Sequence, residues 1–97
     1  MSKKILIVED EFVVANDLRL ILRQAGYRVA GIATSVEEAD EQLKKHKPDL
    51  VILDIRLEGD LSGIDFARKL NTENIAFIYL SANSNEDVLN AAKATQP

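Results

Sequence analysis

Apolar positions follow two alternating patterns along the chain. Short apolar runs, typical of strands buried on both faces, alternate with longer segments in which apolar residues recur every three or four positions, as in an amphipathic helix. The predicted strands are residues 5–8, 27–32, 50–53 and 75–80. The predicted helices carry Val14, Leu18, Ile21, Leu22 and Ala25, then Val36, Ala39 and Leu43, then Ile64, Ala67 and Leu70, then Val88, Ala91 and Ala92.

Capping and turn residues support these boundaries. Gly26 stands where the first helix should stop, because glycine adopts the left-handed conformation that ends many helices. Ser35, followed three residues later by Glu38, is a capping box that should open the second helix. Residues 59–63 read as a polar loop before the third helix, and residues 84–87 can open a fourth helix in the same way as residues 35–38.

The order of elements predicts the fold class. Four strand-then-helix units in succession indicate an α/β domain with a parallel sheet. Since strands that are apolar throughout need helices on both faces, we expect a doubly wound sheet that occupies residues 1–97 as one domain. The chain is too short for a closed eightfold barrel.

Composition and charge exclude several functions. The 97 residues carry 12 Lys and Arg against 16 Asp and Glu, a net charge of −4, so we expect neither nucleic acid nor an anionic membrane as a partner. Cysteine is absent, which excludes disulfides, thiolate metal sites and cysteine nucleophiles. Histidine occurs once. No apolar run is long enough for a membrane span or a signal peptide, and a cytoplasmic location is therefore expected.

Acidic residues follow two of the predicted strands. Glu9 and Asp10 end the first strand and Asp54 ends the third, while Ser81 ends the fourth. Ligands of open parallel sheets bind at these carboxyl ends, and three carboxylates converge there if the first and third strands are neighbours. Like charges this close raise one another's pKa, so a divalent cation would stabilise the cluster. Mg²⁺ fits best, since it takes a few carboxylates and favours phosphate oxygens at its other positions.

Three segments carry a resemblance to a known family. Lys4–Glu11, Asp49–Ile55 and Tyr79–Ala82, in this order and at this spacing, resemble the receiver domain of two-component response regulators. The likeness extends over essentially the whole chain. It implies a flavodoxin-like sheet with the strand order 2-1-3-4.

The resemblance also implies a role for each residue of the cluster. Asp54 would be the phosphoacceptor, taking a phosphoryl group from a sensor histidine kinase or a phosphotransfer protein. Glu9, Asp10, Asp54 and the backbone carbonyl of Arg56 would hold Mg²⁺, and Ser81 would be the switch hydroxyl that turns toward the phosphoryl group. Members of the family catalyse their own phosphorylation and dephosphorylation, but they act mainly as signalling switches.

The same residues fit two other functions poorly. Aspartyl-phosphate hydrolases need a second acid two residues after the nucleophile, where this chain has Arg56. Nucleotide- and flavin-binding sheets need a glycine- or hydroxyl-rich loop after the first strand, where this chain has the acidic segment 9–12. A pseudo-receiver that binds partners without phosphorylation stays open as the alternative, although the three intact carboxylates argue against it.

The family resemblance further implies a fifth βα unit, which carries a lysine that pairs with the phosphoryl group and an aromatic switch residue. Since four units are found here, we expect a truncated receiver that is phosphorylated poorly. Strand 75–80 would then be an apolar edge, and part of the helical stripe of Leu18, Ile21 and Leu22 would be bare. Self-association through either surface is expected.

Overall fold

A computed structural model describes residues 3–54 and 61–80, which form four strands and three helices. In chain order these are β1 (Lys4–Val8), α1 (Phe12–Gln24), β2 (Arg28–Ala33), α2 (Val36–His46), β3 (Leu50–Asp54), α3 (Leu61–Thr72) and β4 (Ala76–Leu80). All three strand pairings are parallel, and the order is β2-β1-β3-β4. The expected sheet and strand order are confirmed, whereas the expected fourth helix lies outside the described residues.

The central strands β1 and β3 are buried on both faces, as their uninterrupted apolar sequences predict. Alternate side chains enter two separate cores, because successive residues of a strand point to opposite faces. One core contains Ile5, Ile7, Ala15, Leu18, Leu22, Tyr27, Leu50 and Ile52. The other contains Leu6, Val8, Ala33, Ala39, Leu43, Val51, Leu53, Phe66, Ala67 and Leu70. Helix α1 therefore covers one face of the sheet, and α2 and α3 cover the other.

One detail of the helices corrects the sequence-based expectations. Helix α3 begins at Leu61, so residues 61–63 are not part of a loop. Leu61, Ile64 and Ala67 are spaced three residues apart, and helix formation is cooperative enough to tolerate the single Gly63 at a cost of about 1 kcal/mol. None of the helices in the described ranges is long and apolar enough to span a membrane.

The apolar stripe of α1 is mostly buried, whereas the sequence predicted that part of it is bare: Leu18 and Leu22 are buried, and Ile21 is half-buried. Leu18 and Leu22 are buried in the first core, because they pack directly on β1 and β3. The exposed large apolar side chains of the described residues lie elsewhere on α1, at Phe12, Val13 and Leu20. Which apolar positions of a helix are buried depends on where the neighbouring elements lie. The periodicity alone does not predict this.

The start of α2 forms the predicted cap with one altered partner. The backbone N–H of Glu38 donates to Ser35 Oγ at 3.1 Å, as in a capping box. Glu38 Oε1, however, accepts from both the backbone N–H and the hydroxyl of Thr34, each at 2.7 Å, rather than from Ser35. These bonds hold the pKa of the Glu38 carboxyl below its ordinary value.

Three turns that follow helices use the left-handed backbone conformation. After α1 it is adopted by Gly26 with φ 96°, and after α3 by Asn74 with φ 59°. After α2 it is adopted by Lys47 with φ 44°, although a lysine side chain disfavours this region and the following Pro48 disfavours it further. Glycine and asparagine are the usual residues here, so Lys47 is the unfavourable member of the set.

A buried polar atom lies between α2 and the edge strand β2. The β1–β2 register shifts between Ile5 and Leu6, so that Ala30 is the extra residue of a bulge and Gly31 faces Leu6. Gln42 covers Gly31 so closely that a Cβ there would lie 2.9 Å from its Oε1. That oxygen is buried and accepts no hydrogen bond within the described part of the chain.

Replacing Gln42 by methionine should stabilise the protein by about 1 kcal/mol, because the buried acceptor without a partner is removed while the helix propensity and volume are kept. Urea unfolding of Gln42→Met measures the change. Glu41→Met, at an exposed neighbouring position of α2, is the matched control and should change the free energy of unfolding little. Equal effects in both variants would contradict the assignment to Gln42 Oε1.

Lys47→Gly should raise the free energy of unfolding by about 0.5–1 kcal/mol, because glycine adopts a positive φ without the steric penalty of a side chain. Gly26→Ala should do the opposite, since it introduces a Cβ at φ 96°. Denaturant unfolding of the two variants is the measurement. A loss of stability in Lys47→Gly would show that contacts of the Lys47 side chain stabilise the fold by more than its positive φ destabilises it.

Candidate functional site

The carboxyl ends of β1 and β3 place two acidic residues side by side. Val8 pairs with Leu53 in the parallel ladder, so Glu9 and Asp54 follow as the next residues of adjacent strands. The backbone N–H of Glu9 donates to the carbonyl of Ala33 at 2.9 Å, which extends the pairing of β1 with β2 beyond the last strand residue. The backbone at the site is thus held from both neighbouring strands.

Glu9, Asp10 and Asp54 form a compact cluster. One carboxylate oxygen of each lies within 4.8 Å of the others. Glu9 and Asp54 are buried, with 2% and 4% of their surfaces exposed, while Asp10 is exposed. The strand order therefore produces the convergence that the sequence suggested, with two carboxylates at the floor of the site and one at its rim.

The electrostatics of the cluster are most evident at Glu9. Burial is the main cause that raises the pKa of this carboxyl to about 7. Hydrogen bonds with Asp10 and Asp54 and the negative charge of Asp54 raise it further, while the backbone N–H of Glu11, which donates to Glu9 Oε1 at 3.0 Å, acts in the opposite direction. The fold thus holds Glu9 where its ionised form is destabilised, and the hydrogen bond from Glu11 orients its carboxyl group.

The chemistry of this donor set fits a hard divalent cation. Three carboxylates offer only oxygen ligands, and their mutual repulsion is relieved when a cation sits between them. Mg²⁺ commonly uses one or two carboxylates together with water and phosphate oxygens, so the exposed side of the cluster suits it. Within the described ranges, these residues make the single group of side chains with metal-binding geometry.

Two of the expected site residues cannot be placed. Ser81 and the backbone carbonyl of Arg56 lie outside the described residues. Sequence reasoning, for its part, missed the backbone N–H of Glu11 as the group that orients Glu9. No side-chain pattern signals such a contact, because the turn into α1 creates it.

Without metal, Glu9 should make stability fall as pH rises from about 4.5 to about 7. The folded chain keeps the Glu9 proton up to about pH 7, whereas the unfolded chain releases it near the ordinary value of 4.5, so in this window the unfolded state binds fewer protons. Glu9→Gln should be more stable than the parent at pH 8 by on the order of 3 kcal/mol and should lack this slope. Urea unfolding across pH in a metal chelator measures both.

Excess Mg²⁺ should reverse the order of the two proteins, because the parent chain has the additional anionic ligand. Glu41→Gln, an exposed substitution on α2, is the control and should follow the parent chain under every condition. If Glu9→Gln and the parent show the same pH slope, the burial of Glu9 does not have the assigned effect.

Comparison with known proteins identifies the family. The family model of the response regulator receiver domain matches residues 5–96. Transcriptional regulatory protein PdtaR of Mycobacterium tuberculosis is 38% identical over 94 residues, which are 96% of this chain and 45% of PdtaR. Sporulation initiation phosphotransferase F of Bacillus subtilis is 30% identical over 95 residues, covering 96% of this chain and 75% of that protein.

Solved structures agree in fold. The anti-anti-sigma factor PhyR from Bartonella quintana superimposes with a TM-score of 0.82 at 25% identity, over 98% of this chain and 47% of the PhyR chain. The chain thus spans less than half the length of both PdtaR and PhyR. With a parallel sheet of order β2-β1-β3-β4, an acidic cluster at its carboxyl edge and a family match over nearly its full length, this chain belongs to the receiver domains of response regulators.

Proposed function

We propose that this receiver domain accepts a phosphoryl group on Asp54 in a magnesium-dependent reaction and thereby acts as a signalling switch. The observation that carries the proposal is the cluster of Glu9, Asp10 and Asp54, whose carboxylate oxygens lie within 4.8 Å of one another at the carboxyl edge of the sheet. A buried carboxylate surrounded by two others is an unfavourable arrangement for stability alone, which supports a functional reason for it.

Asp54 is the carboxylate best placed as the nucleophile. It ends β3, a central strand that is hydrogen-bonded to β1 on one side and to β4 on the other, where Asp54 pairs with Leu80. The backbone of Asp54 is therefore fixed, and its side chain is only 4% exposed. Because a nucleophile that is held in place loses little conformational freedom when it reacts, the barrier to phosphoryl transfer is lower.

The proposed reaction is a substitution at phosphorus. A carboxylate oxygen of Asp54 forms the new bond to phosphorus, and the bond from phosphorus to the donor breaks. With a phosphohistidine donor the imidazole nitrogen leaves with the bonding electrons, and with acetyl phosphate the acetate oxygen does. Bound Mg²⁺ would neutralise negative charge on the transferring group.

Glu9 and Asp10 would hold the cation beside Asp54. Asp10 is exposed at the rim and is the more direct ligand, whereas Glu9 is buried and oriented by the N–H of Glu11. Because burial gives Glu9 a pKa of about 7, cation binding favours its ionised form and releases a proton near neutral pH. Both residues position charge, and neither forms a covalent bond in the reaction.

The donor is proposed from the family. Receiver domains interact with histidine kinases or with phosphotransfer proteins, and one relative of this chain is a phosphotransferase by name. We infer that a phosphohistidine protein supplies the phosphoryl group here too. The roles of Ser81 as the switch hydroxyl and of the Arg56 carbonyl as a further Mg²⁺ ligand stay proposals drawn from the family resemblance.

Incubation with acetyl phosphate and Mg²⁺ should add one phosphoryl group to the chain, as measured by intact mass. Asp54→Asn should abolish the labelling, because the amide is not a nucleophile, and removal of Mg²⁺ by a chelator should do the same. Asp17→Asn, an exposed aspartate on α1 away from the cluster, is the matched control and should be labelled like the parent.

Two results would contradict the proposal. Labelling that persists in Asp54→Asn would place the phosphoacceptor elsewhere. A parent chain that binds Mg²⁺ but takes no label, even when it is extended by a fifth βα unit, would favour the pseudo-receiver alternative, in which the same fold serves protein interaction without phosphorylation.

A further inference from the structure

An open groove lies at the opposite end of the sheet from the acidic cluster. Its volume is about 520 Å³, and it is formed where α2 and α3 end and where the chain enters β3 and β4. We call it the lysine groove. Its lining residues are Leu43, Lys44, Lys47, Pro48, Lys69, Glu73 and Ile75. The apolar members form a hydrophobic surface, and three lysines outnumber the single carboxylate of Glu73 beside it.

Two of the three lysines bring positive charge that is not neutralised. Lys69 forms an ion pair with Asp40, and this hydrogen bond is the main cause that raises the pKa of Lys69, to which the charge of nearby Glu73 adds. Lys44 and Lys47, in contrast, form no ion pair within the described part of the chain. The groove therefore combines an apolar surface with two ammonium groups available to a partner.

Lys47 occupies a position that disfavours it. The corresponding turns after α1 and α3 use Gly26 and Asn74, while this one uses a lysine at φ 44° directly before a proline. Strained backbone positions of this kind persist at sites where the side chain has a use. The Lys47 side chain forms no hydrogen bond or ion pair within the described residues, so the groove that it lines is the nearest explanation for a lysine at this position.

The carboxyl edge of the sheet presents a surface of complementary character. We define the α1 corner as Asp10–Val13, four consecutive residues that are all exposed. Phe12 and Val13 are 63% and 73% exposed, which is unusual for large apolar side chains. Asp10 and Glu11 place two carboxylates beside them. An apolar surface rimmed by charge is typical of a protein-binding site.

We propose that copies of this chain associate head to tail, with the α1 corner of one copy in the lysine groove of the next. Phe12 would lie against the apolar surface of the groove, where an aromatic side chain buries about 150–250 Å². Glu11 of the corner would approach Lys44 and Lys47 of the groove. Opposite charge and matching apolar surface both favour a second copy as the occupant.

The geometry has a consequence for the assembly. The α1 corner follows the carboxyl end of β1, and the groove lies before the amino ends of β3 and β4, so one chain presents the two surfaces at opposite ends. Such a contact is heterologous, and repeated contacts generate an open chain of copies rather than a symmetric dimer. A contact of this small size is weak, so association should appear only at high protein concentration.

Mixing two interface variants tests the proposal. The groove variant, Lys44→Glu with Lys47→Glu, keeps the α1 corner, and the corner variant, Phe12→Ser with Val13→Ser, keeps the groove. Each alone should associate at least about tenfold more weakly than the parent in sedimentation equilibrium over a concentration series. An equimolar mixture should recover dimers but no longer chains, because only one productive contact remains.

Matched controls separate this contact from others. Lys45→Glu changes an exposed lysine beside the groove, and Leu20→Ser removes the other exposed large apolar residue of α1, so both should associate like the parent. Circular dichroism and urea unfolding verify that each variant is folded. A parent chain that stays monomeric, a mixture without dimers, or a loss of association in Leu20→Ser comparable to the corner variant would overturn the proposal.

Discussion

The placement of Glu9 and Asp54 at the ends of two adjacent buried strands is the constraint on which the rest of the structure depends. Both strands are covered by helices on both faces, so the carboxyl groups that follow them enter a site of low dielectric constant beside one another. The apolar residues of β1 and β3 supply the hydrophobic stabilisation that offsets this unfavourable arrangement. A sheet with a different strand order would separate the two carboxylates and remove the site.

The electrostatic conflict in the cluster is also what makes it responsive. A carboxyl group with a pKa of about 7 binds or loses its proton near neutral pH, and a cation or a phosphoryl group in the same place changes the balance of charge further. The surrounding backbone is held by hydrogen bonds to the strands on both sides. Stability and the proposed reactivity are thus properties of the same carboxylates.

A parallel sheet gives the molecule two chemically different ends. All strands finish at one edge, where the acidic cluster and the exposed Phe12 and Val13 lie, and all begin at the other. Helix α2 ends near that second edge with Lys44 and Lys45 in its last turn, where positive charge interacts favourably with the helix dipole. The two ends thus differ in chemistry: one carries the acidic cluster, and the other carries the lysines of the groove together with Glu73.

The sequence by itself determined the elements, their order and the residues of the acidic cluster, because these follow from local periodicity and from the residue types at strand ends. The strand order came from the family resemblance and not from the periodicity. Only the tertiary structure decided that Leu18 and Leu22 are buried while Phe12 and Val13 are not, and that burial brings Glu9 to a pKa of about 7. It also decided that Lys44, Lys47 and Lys69 share one groove. Burial, pKa and a shared surface depend on side chains that are distant in sequence, and folding alone brings these together.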